Sequence, residues 1–118
     1  MRYVKLTLQG IPPSINRFAG KENAWEYRNT KQEWTNVVYL KAKAAHLQHP
    51  FERATVNLLY FFPDNRRHDP DNYAGKFLLD GLTKAGVIKD DDFRHINLVI
   101  AGDVDRKNPR TEIIVTEC

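Results

Sequence analysis

The sequence predicts a small α/β domain with elements in the order β-α-β-α-β-β, and three observations carry that prediction. Apolar residues alternate at period two in three stretches, with a fourth strand read at residues 111 to 116; they recur at helical spacing in two others; and the helical stretches separate the first three strands. The class is α/β in the broad sense that includes α+β: a single domain over residues 1–118, with a four-stranded mixed sheet and two main helices.

Each element has its own signature. Val4, Leu6 and Leu8 alternate with Tyr3, Lys5 and Thr7, which makes a half-buried first strand ended by Gly10 and the Pro12-Pro13 pair. From Ser14 to Asn29 no period is visible, which reads as a long loop. Thr30 followed by Glu33 has the form of a capping box, and Trp34, Val37, Val38, Lys41 and Ala45 then recur at helical spacing until Pro50. Residues 54 to 62 are rich in β-branched and aromatic side chains, with Val56, Leu58, Tyr60 and Phe62 on one face of a second strand. A second helix starts near Asn72, turns Ala74, Phe77 or Leu78, Leu82 and Ala85 inward, and stops at Gly86, a residue suited to the left-handed position after a helix. Ile96, Leu98 and Ile100 mark a third strand and residues 111 to 116 a fourth, joined by the polar segment DVDRKNPR.

Composition narrows the class of protein. A chain of 118 residues with 42% apolar side chains can bury a core without staples. Its one cysteine, Cys118, is the last residue, so no intrachain disulfide and no cysteine-rich zinc site can form. No apolar run approaches the ~18 residues of a membrane span, and MRYVKLTLQG lacks the continuous apolar stretch of a signal peptide. These features predict a cytoplasmic protein with no membrane contact. The net charge is +3, but five acids sit in two clusters, Asp69 with Asp71 and then Asp90, Asp91 and Asp92. Without those five, 18 basic residues face 10 acidic ones, a net of +8 on the rest of the chain. A basic body with concentrated acids suits a metal-dependent enzyme acting on a polyanion, although solvated surface has the same letters.

The first acidic cluster lies in NRRHDPDNYAGK, residues 65 to 76, between a strand end and a helix start. A residue before proline is pushed toward extended geometry, so Asp69 is expected to be extended, with its carboxylate and that of Asp71 on one face. Two carboxylates so placed disfavour each other's ionised form unless a cation or backbone N–H groups lie between them. As a structural device the motif is a turn in which Asp71 or Asn72 caps the helix. As a functional one it holds Mg²⁺, which takes one or two protein carboxylates and fills its other positions with water and phosphate oxygens. Arg66, Arg67 and His68 can then bind phosphate. Lys76, four residues after Asn72 on the same predicted helix face, can reach a metal-held phosphate; alternatively it pairs with Asp80 one turn on. The second cluster, KDDDF, places three carboxylates at a helix C-terminus, where they oppose the macrodipole and repel one another.

Together these residues resemble a known family. DPDNYAGKFLLDGLTKAGVIKDDD, residues 69 to 92, is similar to the signature of the RusA family of Holliday junction resolvases, and GIPPSINRF, residues 10 to 18, resembles the segment after that family's first strand. The resemblance covers about two thirds of the chain, and residues 19 to 60 match mainly in pattern. It implies a bacterial or phage-encoded homodimer that binds branched DNA, the four-way junction, and makes paired Mg²⁺-dependent nicks with no organic cofactor. Carried over by position, Asp69, Asp71 and Asp91 are the metal-binding catalytic carboxylates and Lys76 the catalytic lysine. Asn16, Arg17, Arg66, Arg67, His68 and Lys76 form the expected nucleic-acid contact. The chain departs from the pattern by one extra residue between the Asp pair and the lysine, and counting back from Ile96 selects a different member of Asp90 to Asp92 than counting forward from Gly86.

The expected geometry contains a conflict. A helix from Asn72 to Ala85 is roughly 20 Å long at 1.5 Å per residue, which sets Asp71 and Asp91 at opposite ends. They share a metal only if the chain doubles back or a dimer partner supplies one set, so the site is expected near a subunit interface. Two rivals stand beside the resolvase: a Mg²⁺-dependent nuclease acting on flaps or RNA, and a non-catalytic nucleic-acid-binding module. Trp34 falls on the apolar helix stripe and is expected in the core, and Trp25 falls in the loop. His46 and His49 end the first helix before Pro50, where they can favour its dipole, and a lone histidine such as His95 lacks the paired spacing of metal ligands.

Overall fold

In the computed structural model, which describes residues 2–15 and 24–118, the chain folds as a single α/β layer pair. Four strands, β1 (Tyr3–Gln9), β2 (Ala54–Phe62), β3 (Ile96–Val104) and β4 (Arg110–Glu117), form one mixed sheet in the order β1-β4-β2-β3. β4 runs antiparallel to both β1 and β2, while β2 and β3 are parallel, in register from Ala54↔Ile96 to Phe62↔Val104. The parallel pair requires a crossover, and the helix α2 (Lys76–Lys84) supplies it. α1 (Ala24–Ala44) packs against α2 and crosses to β1.

The core is one cluster between the two helices and one face of the sheet. Val4, Leu6 and Leu8 of β1, Val56, Leu58 and Tyr60 of β2, and Ile113 and Val115 of β4 meet Val38 and Ala42 of α1 and Leu78, Leu79 and Leu82 of α2. Each fully buried Leu or Val stabilises the fold by about 1.5–3 kcal/mol relative to exposure. The period-two alternation places these side chains inward. Among the described residues no helix covers the other sheet face, which carries Asn57, Leu59, Phe61, Val99, Arg110, Glu112 and Ile114.

Three helix boundaries differ from the sequence expectation, two through contacts distant in sequence and one through local backbone conformation. α1 begins at Ala24 rather than Thr30, so Thr30 and Glu33 lie inside it and form no capping box. Nothing in residues 24 to 29 breaks a helix, and Tyr27 there packs edge-on against Phe77 of α2 at 5.4 Å. At its other end α1 stops at Ala44, not near Pro50, because His46 takes a left-handed conformation with φ 55°. α2 begins at Lys76 rather than Asn72. Pro70–Asn72 closes a separate 3₁₀ turn, and Gly75, at φ 80°, is the left-handed residue in front of the helix. A Cβ at Gly75 would lie 2.2 Å from Leu58 Cδ1, so glycine here allows the chain to pass close over β2. Ala74 is consequently exposed.

The end of α2 follows the expectation. Gly86 has φ 77°, its N–H donates to the Thr83 carbonyl at 3.1 Å, and the Val87 N–H donates to that of Leu82 at 3.0 Å. These are the two bonds of a Schellman motif, closed by buried Val87 and Leu82. β3 extends to Val104, and the Asp105 carboxylate then accepts the N–H groups of Lys107 and Asn108 at 3.2 Å each to make the turn into β4. Trp34 packs at the margin of the core, whereas Trp25 is 69% exposed on α1. No helix among the described residues is long and apolar enough to cross a membrane.

Candidate functional site

β2 and β3 end side by side at Phe62 and Val104, and the segment 64–73 folds back over their carboxyl ends. Parallel strands commonly place ligand sites at this end. A cleft of about 430 Å³ opens between the segment and the edge strand β3. Its inner wall consists of flat rings. The His68 imidazole lies parallel to the Phe62 ring at 3.9 Å and an interplanar angle of 5°, and Tyr73 stands edge-on to both.

Polar contacts hold these rings in place. The Tyr60 hydroxyl donates to the Tyr73 carbonyl at 2.8 Å, and burial pushes the Tyr60 phenol well above its ordinary pKa, so it remains a donor. His68 Nε2 meets Asp64 Oδ1 at 3.3 Å, and its Nδ1 meets the Tyr73 hydroxyl at 3.4 Å. Asp64 also accepts the Arg66 N–H at 3.0 Å, which lowers its pKa further than any other contact does. Sequence reasoning assigned His68 to phosphate. The structure engages both of its ring nitrogens within the protein. Asp64, Phe62 and Tyr73 were not singled out in the sequence, although the Asp64 to His68 spacing of four residues was there to be read.

Asp69 is extended, at φ −97° and ψ 130°, as its position before proline requires. Asp71 sits in the 3₁₀ turn instead of continuing an extended strand, so period-two alternation does not relate the two carboxylates. What relates them is Arg67. Its guanidinium meets Asp69 Oδ1 at 3.0 Å, and Asp69 and, more weakly, Asp71 raise its pKa. Arg67 thus supplies the positive charge that such a pair needs. Neither the 3₁₀ turn nor α2 has a side-chain cap hydrogen bond, and the residue before α2 is Gly75. The capping explanation for Asp71 and Asn72 is therefore overturned.

Lys76 opens α2, so it does not share a helix face with Asn72. Its expected partner, Asp80, meets Lys31 Nζ at 3.3 Å across the helix pair, in an offset ion pair that leaves Oδ2 without a well-formed hydrogen bond. Among the described residues Lys76 has no ion-pair partner. Its cation stands in the first turn, where it opposes the helix macrodipole, so local stability does not account for it. A small crevice lined by Pro12, Pro13, Ile15, Asn72 and Lys76 brings the two family-like stretches together. Asn16 and Arg17 lie outside the described residues.

The second acidic cluster is at the other end of the sheet. The Arg53 guanidinium donates to the carbonyls of Phe93 and Arg94 and ties residues 93–94 to the amino end of β2. Ligand atoms of Asp90, Asp92 and His95 lie within 4.8 Å of one another, and Asp92, hydrogen-bonded to His95, has a lowered pKa. Asp91 is exposed and outside that trio. β2 spans nine residues at about 3.3 Å each, so the two acidic regions are separated by roughly 25 Å along the strands. Within one chain Asp91 does not join Asp69 and Asp71.

The donor chemistry of Asp69 and Asp71 fits Mg²⁺, since both are oxygen ligands and the ion needs only one or two carboxylates. The Asp90, Asp92 and His95 trio adds an imidazole, which suits softer transition metals better. Compared with protein-family models and with curated proteins, the chain matches none.

Proposed function

We propose that this protein is a Mg²⁺-dependent, structure-specific endodeoxyribonuclease of the RusA kind, cutting four-way DNA junctions by paired nicks in the cytoplasm. One observation carries the reading: Arg67 faces Asp69 and Asp71 on the segment before α2, and Lys76 opens that helix, although none of these side chains serves its capping or its dipole. Asp69 lines the cleft, Arg67, Asp71 and Lys76 are exposed, and a ligand best explains charged side chains that the fold does not use.

In this reading Asp69 and Asp71 hold the ion, which when bound polarises the scissile phosphate and a water. Arg67 leaves Asp69 as the ion arrives and turns its guanidinium to the DNA backbone, where it can make a bidentate phosphate contact. Lys76 adds positive charge beside the same phosphate as charge builds in the transition state. Arg66 and the remaining basic surface hold the flanking backbone, so binding weakens steeply with salt.

Asp91 enters this site from a second copy of the chain. The sheet face without helices offers Leu59, Phe61, Val99 and Ile114 for such a contact. A twofold axis lying across the strands packs two such faces with strands antiparallel and sets the carboxyl end of one sheet over the amino end of the other.

The test is nicking of a labelled four-way junction beside a linear duplex of the same sequence, in Mg²⁺ and in EDTA, with wild type and Asp71→Asn. Paired cuts in the junction alone, dependent on Mg²⁺ and lost in a variant that still binds, support the proposal. Binding without cleavage in any divalent ion would leave a nucleic-acid-binding module.

A further inference from the structure

We infer that the cleft at the carboxyl ends of β2 and β3 receives one unstacked nucleobase of the strand being cut, next to the phosphate held at Asp69 and Asp71. The inference rests on the nuclease reading and names what that reading leaves open, namely which part of the strand the site recognises besides its backbone.

The shape of the cleft fits a base. At about 430 Å³ it lies within the range of small-ligand sites. Its wall is the Phe62 and His68 stack, and a flat heteroaromatic ring extends such a stack whatever its sequence identity. The floor is kept open by Gly102 on β3, where a Cβ would lie 3.2 Å from the Phe62 ring. A side chain there would occupy the space the base needs.

The chemistry of the rim favours a base over a second phosphate. Asp64 and Asp69 line it, and the guanidinium beside each is already paired, Arg66 with Asp64 at 3.3 Å and Arg67 with Asp69 at 3.0 Å. Carboxylates repel a phosphate but accept hydrogen bonds from the amino and imino groups of a base edge. Asn65, exposed at the same rim, offers a donor and an acceptor together. β3 is an edge strand, so alternate backbone groups along it are free to pair with a ligand edge.

A base pocket beside the metal carboxylates also accounts for structure selectivity. In a duplex every base is stacked on both sides, and extruding one costs a few kcal/mol. At a branch point the continuous stack is interrupted and that cost falls. The cleft thereby turns an easily extruded base into correct placement of its phosphate.

The experiment uses wild-type protein and junctions carrying a single abasic residue at each position flanking the cut, with binding measured separately in Ca²⁺. At one position the abasic residue lowers nicking about tenfold or more, the value of one stacked base, while binding changes less than about twofold. Asn65→Ala lowers nicking of the intact junction and adds little on that abasic junction, because both remove the same contact. If every abasic junction is cut like the unmodified one, or if the Asn65→Ala and abasic effects multiply, the inference is overturned while the nuclease reading stands. If the unmodified junction is not cut at all, both fall.

Discussion

Asp69 and Asp71 stand at the carboxyl ends of β2 and β3, Asp90 to Asp92 stand at the amino ends, and the two groups are supported in different ways. The first pair is carried on a segment anchored by the His68, Phe62 and Tyr73 rings and by the close passage of Gly75 over Leu58. Beside it are a cleft and two arginines, and α2 opens with Lys76, which has no ion-pair partner among the described residues. The second group lies on an exposed loop that Arg53 ties to β2, and the acids' own contacts are local: the Asp91 N–H donates to Asp90 at 2.8 Å, and Asp92 bonds His95 three residues on. Acidic side chains alone therefore do not mark a site. What distinguishes the first region is the wall of aromatic rings behind it and the arginine paired with Asp69.

The largest effect that sharpens this comparison is on catalysis. Asp71→Asn should lower junction nicking by about 10²–10³-fold, the range for loss of one electrostatic group in a preorganised site, with binding in Ca²⁺ retained. Asp91→Asn should be comparably inactive only if a second copy supplies it. Mixing the two inactive variants tests that arrangement directly. Sites built from two chains regain about a quarter of wild-type nicking, confined to one strand, whereas sites built within one chain regain none.

Backbone effects come next. Gly75 and Gly86 have nearly equal φ, 80° and 77°, but a Cβ at Gly75 collides with Leu58 while one at Gly86 meets nothing within 4 Å. Gly75→Ala should cost about 3 kcal/mol in urea unfolding, from strain plus overpacking, and Gly86→Ala about 1 kcal/mol from strain alone. Equal costs would mean that the close approach over β2 is unimportant. Lys76→Ala should leave the melting temperature unchanged or raise it slightly, since it removes a cation from a helix N-terminus, while nicking falls.

The smallest effect is electrostatic. The hydrogen bond to His95 holds the Asp92 carboxyl below its ordinary 3.8. A lowered carboxylate contributes stability that is present above the ordinary value and is lost as pH falls through the folded one. His95→Ala should move the Asp92 titration, followed by carbon NMR, back up toward 3.8. An unchanged titration would show that the Asp92 to His95 contact does not hold that carboxyl down.

Much of the fold was legible because it depends on local periodicity. The alternation of Val4, Leu6 and Leu8 and of Val56, Leu58, Tyr60 and Phe62 determined which face of each strand is buried, and Gly86 marked the end of α2 since only a left-handed residue closes a Schellman motif comfortably. The motif from Asn65 to Lys76 was visible as an oddity of charge. Its geometry was not. Where α1 and α2 begin depends on Tyr27 meeting Phe77 and on Gly75 meeting Leu58, pairs separated by 50 and 17 positions in the chain. The same is true of Asp80, which meets Lys31, 49 positions away, instead of Lys76. The sequence by itself determined the elements, their order and the residues able to do chemistry. Only tertiary structure decided that the two acidic groups stand at opposite ends of a nine-residue parallel strand pair, because that separation follows from the β2 to β3 register and not from any local preference.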